Sequence, residues 1–198
     1  MRKPHLIIVC NHGSTNSQTL EFLSDLRLFY PQVKIIDSKN IGVIKGHNRI
    51  IEECETSHLV FFDPDDELMP EYLRGAEFLF LNNRALESVF PNILVPKGER
   101  LETWITGPFE TKPLLSLNTI PMSAVCSMKL FKDLGGYSSD FDGGYEDWDF
   151  WVRAALSGAA AGHLNSIEFR YFSKELSRSS SAEIMRHSLI KKLANEWS

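Results

Sequence analysis

Residues 6–10, Leu-Ile-Ile-Val-Cys, form a short apolar run that opens into Asn11-His12-Gly13-Ser14, which predicts a buried strand feeding a loop. Phe22, Leu23, Leu26, Phe29 and Tyr30 then recur at a helical period until Pro31 stops them. Val33-Lys34-Ile35-Ile36-Asp37 predicts the second strand, and Gly42, Gly46 and Asn48 punctuate the approach to a helix over 49–55. Residues 58–62, His-Leu-Val-Phe-Phe, are the most apolar strand candidate and run straight into Asp63-Pro64-Asp65-Asp66. This β-α-β-α-β order with nearly continuous apolar strands predicts an α/β fold, a mostly parallel central sheet with helices on both faces. Ligands of such sheets bind beyond the carboxyl ends of the strands, which brings Asn11, Asp37 and Asp63 to one edge.

Further along, the pattern predicts helices over 71–83 behind Pro70, over 129–134 up to Gly135-Gly136, and over 146–157. Residues 88–126 are interrupted by prolines at 91, 96, 108, 113 and 121 and read as strands joined by loops. A last helix is expected over 180–197, where Ser180-Ser181-Ala182-Glu183 supplies a capping box. No repeat or linker divides these segments, so the chain reads as a single domain over 1–198.

Composition narrows the function. With 198 residues, 43% hydrophobic and 24% charged, the chain is globular in make-up, which excludes long disorder and a fibrous rod. Lys and Arg number 21 against 26 Asp and Glu, a net charge of -5. Nucleic acid is excluded as a dedicated partner, because displacing counterions from phosphates needs a basic stripe. Cys10, Cys54 and Cys126 lie far apart with no C-x-x-C spacing, which predicts reduced, buried thiols. No apolar run has signal-peptide or transmembrane length, so a cytoplasmic protein is expected.

Two acidic segments carry the candidate chemistry. Asp63, Asp65 and Asp66 repel one another unless a cation neutralises them. Mg²⁺ or Mn²⁺ is commonly held by one or two carboxylates together with substrate phosphates. Helix capping explains one such aspartate, not three. The second segment has acidic residues at 140, 142, 146, 147 and 149 and no basic one. At 100° per residue Glu146, Asp149 and Arg153 share a polar face, while Asp147 falls on the arc of Trp151 and Ala154. Burial raises a carboxyl pKa and improves it as a proton acceptor; the competing reading is an acid that serves the helix dipole. Trp148, Phe150 and Trp151 read as core, with stacking on a sugar as the alternative for one of them. His12 and His47 lie in loops of the candidate site, and the six histidines share no metal spacing. G-x-G-x-x-G, Walker and G-x-S-x-G motifs are absent, which removes support for dinucleotide redox, P-loop and α/β-hydrolase chemistry.

Three segments together resemble the family-2 glycosyltransferases of the GT-A fold, over most of the chain. Asn40-Ile41-Gly42-Val43-Ile44-Lys45-Gly46-His47-Asn48 is similar to the family's N-x-G-x-x-x-G-x-N stretch. Asp63-Pro64-Asp65-Asp66-Glu67-Leu68-Met69-Pro70 is similar to its metal-binding D-x-D strand end. Phe131-Lys132-Asp133-Leu134-Gly135-Gly136-Tyr137, followed by Glu146-Asp147-Trp148-Asp149, is similar to its acceptor-side segment. The resemblance implies a nucleotide-sugar-binding half over 1–70 and an acceptor-side half over 71–198. It implies Asp65, with Asp63 and Asp66 beside it, on a Mn²⁺ or Mg²⁺ ion, and Asp63 nearer the ribose and sugar of the donor. Asn11, His12, Asp37, Asn40 and Asn48 would be further donor contacts. Asp147, next to Glu146, would be the base in an inverting transfer from a nucleotide-diphosphate sugar. The implied acceptor is a carbohydrate, glycoprotein or lipid-linked glycan. A catalytically weak sugar-nucleotide- or glycan-binding module on the same fold is the alternative. A sugar-1-phosphate nucleotidyltransferase lacks the Gly-rich, Arg-containing first loop it would need.

The chain departs from the family pattern in two places. It has room for two βα steps before the D-x-D strand, where the family usually has three. The first strand matches either the family's first strand with its Asn-containing loop, or the second strand's D-G-S-T loop with Asn11 and His12 in place of the acids. The former is favoured, because losing an edge strand costs a sheet less than losing a central one. It makes residues 33–36 the edge strand, blunted by Lys34 alone, and calls for a covering loop, C-terminal helix or second subunit of a homo-oligomer. The family's C-terminal loop often offers a histidine, where Arg170-Tyr171-Phe172-Ser173-Lys174 offers a lysine.

Overall fold

The computed structural model describes residues 4–98, 100–141, 144–172, 190–191 and 194–195. In chain order they form β1 (Ile7–Asn11), α1 (Ser17–Phe29), β2 (Val33–Asp37), α2 (Val43–Glu53), β3 (His58–Val60), β4 (Glu67–Leu68) and α3 (Tyr72–Asn82). There follow β5 (Leu86–Lys97), β6 (Arg100–Trp104), α4 (Thr111–Leu114), β7 (Val125–Ser127), α5 (Met128–Asp133), a 3-10 turn (Ser139–Phe141), α6 (Glu146–Leu156) and β8 (Ala160–Arg170). The helix expected over 180–197 falls mostly outside the described residues.

Local chemistry sets the boundaries. Asn16 Oδ1 accepts from the Thr19 N–H at 3.0 Å and caps α1; Ser127 Oγ accepts from the Leu130 N–H at 3.0 Å and caps α5. α2 starts at Val43, well ahead of the expected 49, because Asn40 Oδ1 accepts from the Gly42 N–H at 3.2 Å. Gly42 there takes a φ of 85°, which glycine alone adopts freely. α5 closes with the Gly136 N–H on Phe131 O at 2.8 Å, both following glycines in the left-handed region.

The α/β class is as expected, but the sheet is mixed. β1 and β2 pair in parallel as a two-stranded sheet, with Asn11 opposite Asp37. A second sheet runs β3-β7-β5-β8-β4, with β6 on β5. Among the described residues only its β5–β8 ladder is parallel; the other ladders are antiparallel. The β5–β6 hairpin and the short return strands β4 and β7 impose that direction. No strand is expected over 160–170, because Ala160, Gly162, Asn165 and Ser166 dilute the apolar alternation. β8 nevertheless occupies the position between β5 and β4. β2 ends its sheet, with β1 as its ladder partner among the described residues, and Lys34 reaches Glu53 of α2 at 2.7 Å.

The core wraps α6. Trp148, Phe150, Trp151, Val152 and Ala154 are each at most 2% exposed, so none of these aromatic rings is open to a sugar. Phe150 stacks on Phe131 at 4.7 Å, and Trp148 Nε1 donates to Leu114 O. The polar face of Glu146, Asp149 and Arg153 is not solvated. Asp149 is fully buried and pairs with Arg153 at 2.8 Å, because the loop after α5 covers that side. Arg153 Nη1 and Nη2 donate to Leu134 O and Gly136 O at 2.7 and 2.9 Å. Asn48 of α2 grips the next residue twice, Nδ2 donating to Tyr137 O and Oδ1 accepting from Tyr137 N–H, each at 2.8 Å. A Cβ on Gly136 would fall 2.5 Å from Asn48 Oδ1, which fixes glycine there.

Arg153→Leu leaves Asp149 charged and buried without its cation, so urea unfolding is expected to report a loss of about 3–5 kcal/mol. A loss under about 1 kcal/mol, typical of an exposed pair, would contradict the burial of Asp149.

Candidate active site

A cavity of about 650 Å³ opens at the end of β3. Phe61, Asp63, Asp65 and Asp66 line it from the chain after β3, Val43 and His47 from α2, and Glu146 and Asp147 from the first turn of α6. Asn118, Ile120 and Met122 from the segment before β7, Ile93, Val95 and Trp104 from the β5–β6 hairpin, and Phe169, Tyr171 and Phe172 complete the wall.

Asp147 reaches this cavity because of how α6 begins. Tyr145 precedes the helix at a φ of 67°, a left-handed conformation uncommon for a residue with a Cβ. Such outliers persist where the surroundings hold them, and they gather at functional sites. Asp147 Oδ1 accepts from the Trp148 N–H at 2.8 Å, and Oδ2 accepts from Asn118 Nδ2 at 2.9 Å. Burial, and then the charge of Glu146, push the Asp147 carboxyl from 3.8 up to about 6, against the lowering by these hydrogen bonds. Glu146 is itself 5% exposed. A carboxylate poised near neutrality in a cavity is suited to accept a proton.

The structure thus brings Asp63, Asp65, Asp66, Glu146 and Asp147 to one cavity, with His47 among them. The other sequence candidates do not line it. Asn11 Nδ2 donates to Asp37 Oδ1 at 2.9 Å, its own Oδ1 accepts from the Ser14 N–H at 3.0 Å, and Arg27 pairs with Asp37. Their pairing across the parallel β1–β2 ladder draws Asn11 and Asp37 together at the strand ends. His12 lies over α2, where a Cβ on Gly46 would come within 2.1 Å of its ring. Asn40 and Asn48 are spent on the start of α2 and on Tyr137. Sequence reasoning did not single out Asn118 or Trp104. Both lie in the proline-broken stretch over 88–126, where no periodicity or motif marks them.

The D-x-D segment is a turn closed by the Asp66 N–H on Asp63 O at 3.1 Å. Asp66 Oδ1 accepts from the Phe172 N–H at 3.0 Å, and Glu67 pairs with Arg170 at 2.7 Å, so the turn is tied to the end of β8. Lys174 lies outside the described residues. No three His, Cys, Asp or Glu groups among the described residues form a ready metal cage. The turn engages Asp66 on the backbone instead. Asp63 and Asp65 are exposed carboxylates on the cavity wall, and one or two such groups suit Mg²⁺ or Mn²⁺ when phosphates supply the other ligands. The residues fit a shared ion.

A family model described as glycosyl transferase family 2 matches residues 2–133, and the chain belongs to that family. No curated protein matches it. Among solved structures, S. aureus TarS 1–349 in complex with UDP superposes with a TM-score of 0.69 at 15% identity, over 94% of this chain and 63% of that one. The mannosyltransferase PcManGT from Pyrobaculum calidifontis, in complex with GDP-Man and Mn²⁺, gives 0.65 at 14% identity, over 89% of this chain and 51% of that one. At these identities the likeness is one of fold, GT-A-like in both. The chain spans less than two thirds of the length of either structure.

Asp147 is expected to titrate near pH 6 by NMR, and Asn118→Ala, which removes a bond to the charged form, to move that midpoint upward. A carboxyl whose folded pKa is raised binds its proton more tightly in the native state. Stability therefore falls as pH rises from about 4 to 6, and Asp147→Asn is expected to stabilise the fold at pH 7 but not at pH 4. An unchanged melting temperature at pH 7 would contradict the strained setting of this carboxylate.

Proposed function

We propose that the protein transfers a glycosyl group from a nucleotide-diphosphate sugar to an acceptor hydroxyl with inversion, aided by Mn²⁺ or Mg²⁺. The observation that carries this reading is a half-buried, Asn118-held Asp147, raised to about 6, in the same cavity as Asp63 and Asp65. Family membership supports the reaction class. The fold shared with structures that hold UDP, or GDP-Man with Mn²⁺, supports the donor class.

In this reading Asp147 takes the proton of the acceptor hydroxyl as its oxygen bonds to the anomeric carbon. The bond from that carbon to the diphosphate oxygen breaks with its electron pair, and the nucleoside diphosphate leaves. A divalent ion held by Asp65, with Asp63 turned toward the ribose and sugar, would supply positive charge for the departing phosphates. The Trp148 N–H and Asn118 keep the carboxylate in the orientation that accepts the proton. Glu146 raises its basicity. Residues 1–70 serve the donor and 71–198 the acceptor.

Asp147→Asn is expected to lower turnover about 10²–10⁴-fold while nucleotide binding survives. Asp65→Ala is expected to remove the Mn²⁺-dependent part of nucleotide affinity measured by calorimetry, leaving it equal to affinity in EDTA. The anomeric configuration of the first product, read by NMR, is expected to be inverted. Turnover that persists in Asp147→Asn, or metal-dependent binding that persists in Asp65→Ala, would refute the corresponding role.

A further inference from the structure

Trp104 is 45% exposed and lines the catalytic cavity, an unusual place for an indole that packing alone does not hold. It stands opposite Ile93 in the β5–β6 ladder, with Val95 two residues on, so the three side chains share one face of the hairpin. All five residues of β6 are exposed. The base of the hairpin, by contrast, is fixed by a buried polar network. Thr106 Oγ1 donates to Pro91 O at 2.7 Å, and Thr106 N–H to Asn92 Oδ1 at 3.3 Å. Asn92 Nδ2 donates to Asn165 O at 2.8 Å, which ties the hairpin to the irregular stretch of β8. Asn92 and Thr106 are 1% and 4% exposed. An apolar face on a rigid base is a preformed binding surface.

The cavity lining divides by chemistry. Carboxylates come from 63–66 and 146–147, whereas the hairpin and residues 120–122 contribute Val95, Trp104 and Met122 at the surface, over the buried Ile93, Ile120 and Pro121. A bare polyol has too little apolar surface to cover such a wall, and water left on it is released by an apolar group. We propose that the acceptor is amphiphilic, carrying an apolar chain beside its reactive hydroxyl, and that this chain lies on Val95, Trp104 and Met122. The inference rests on the reading that Asp147 marks where the acceptor hydroxyl reacts, since the wall is continuous with that carboxylate in one cavity.

Calorimetry on the full chain with n-octyl β-D-glucoside below its micelle concentration, and with methyl β-D-glucoside, tests the subsite separately from turnover. The octyl glycoside is expected to bind at least about tenfold more tightly. Trp104→Ala and, independently, Val95→Asn are expected to bring its affinity down to that of the methyl glycoside. Affinity for UDP or GDP with Mn²⁺ is expected to stay unchanged in both variants. Equal binding of the two glycosides, or an octyl preference that survives both substitutions, would overturn the proposal. Failure of both nucleotides to bind while the Trp104-dependent octyl preference stands would refute the glycosyl-transfer reading and leave the apolar subsite in place.

Discussion

The buried pair of Asp149 and Arg153 is the interaction on which the site depends. One guanidinium holds Oδ2 of a buried carboxylate one turn back and two carbonyls, Leu134 O and Gly136 O, of the loop after α5. Asn48 fastens the next residue, Tyr137, to α2. The two contacts lock α2, the loop and α6 into one unit. α6 therefore enters the core at a fixed angle, and its first turn carries Glu146 and Asp147 into the cavity that Asp63 and Asp65 share. A charged pair so enclosed adds little net stability over an apolar replacement, but breaking it is severe. Its contribution is placement.

The same arrangement explains why the site resists its own fold. Asp147 is held where burial and Glu146 oppose its charge, and Tyr145 takes a left-handed backbone just before it. Asn118 Oδ1 is buried with no hydrogen-bond partner among the described residues, next to that carboxylate. Each of these features is unfavourable to folding. The aromatic packing of Phe131, Phe150, Trp148 and Trp151 offsets them, and it surrounds the helix rather than the cavity.

Much of this could be read from the sequence, in unequal parts. The helices at α3, α5 and α6 follow from period and punctuation, since proline and glycine mark their ends and apolar spacing marks their faces. The three motif segments pointed to the family, and the carboxylates 63, 65, 66, 146 and 147 do meet in one cavity. The glycines of N-x-G-x-x-x-G-x-N have mechanical reasons visible only in three dimensions, a positive φ before α2 at Gly42 and room for the His12 ring at Gly46. β8 was hidden by small and polar residues, because its place comes from pairing on both sides and not from its own pattern. The helical wheel misplaced Asp149, since a wheel records angle and not what the rest of the chain lays over it. Asn118 and Trp104 were illegible for the same reason: their positions depend on a loop and a hairpin whose register no local signal fixes.

The proposed role of Asp147 as proton acceptor in glycosyl transfer is tested most directly by the pH dependence of kcat/KM for a turned-over nucleotide sugar. With the carboxyl pushed up to about 6, kcat/KM is predicted to rise tenfold per pH unit at acid pH and to level off above about 6, with the limb absent in Asp147→Asn. A profile that is flat from about pH 5 to 8, or an acid limb that persists unchanged in Asp147→Asn, would contradict the account.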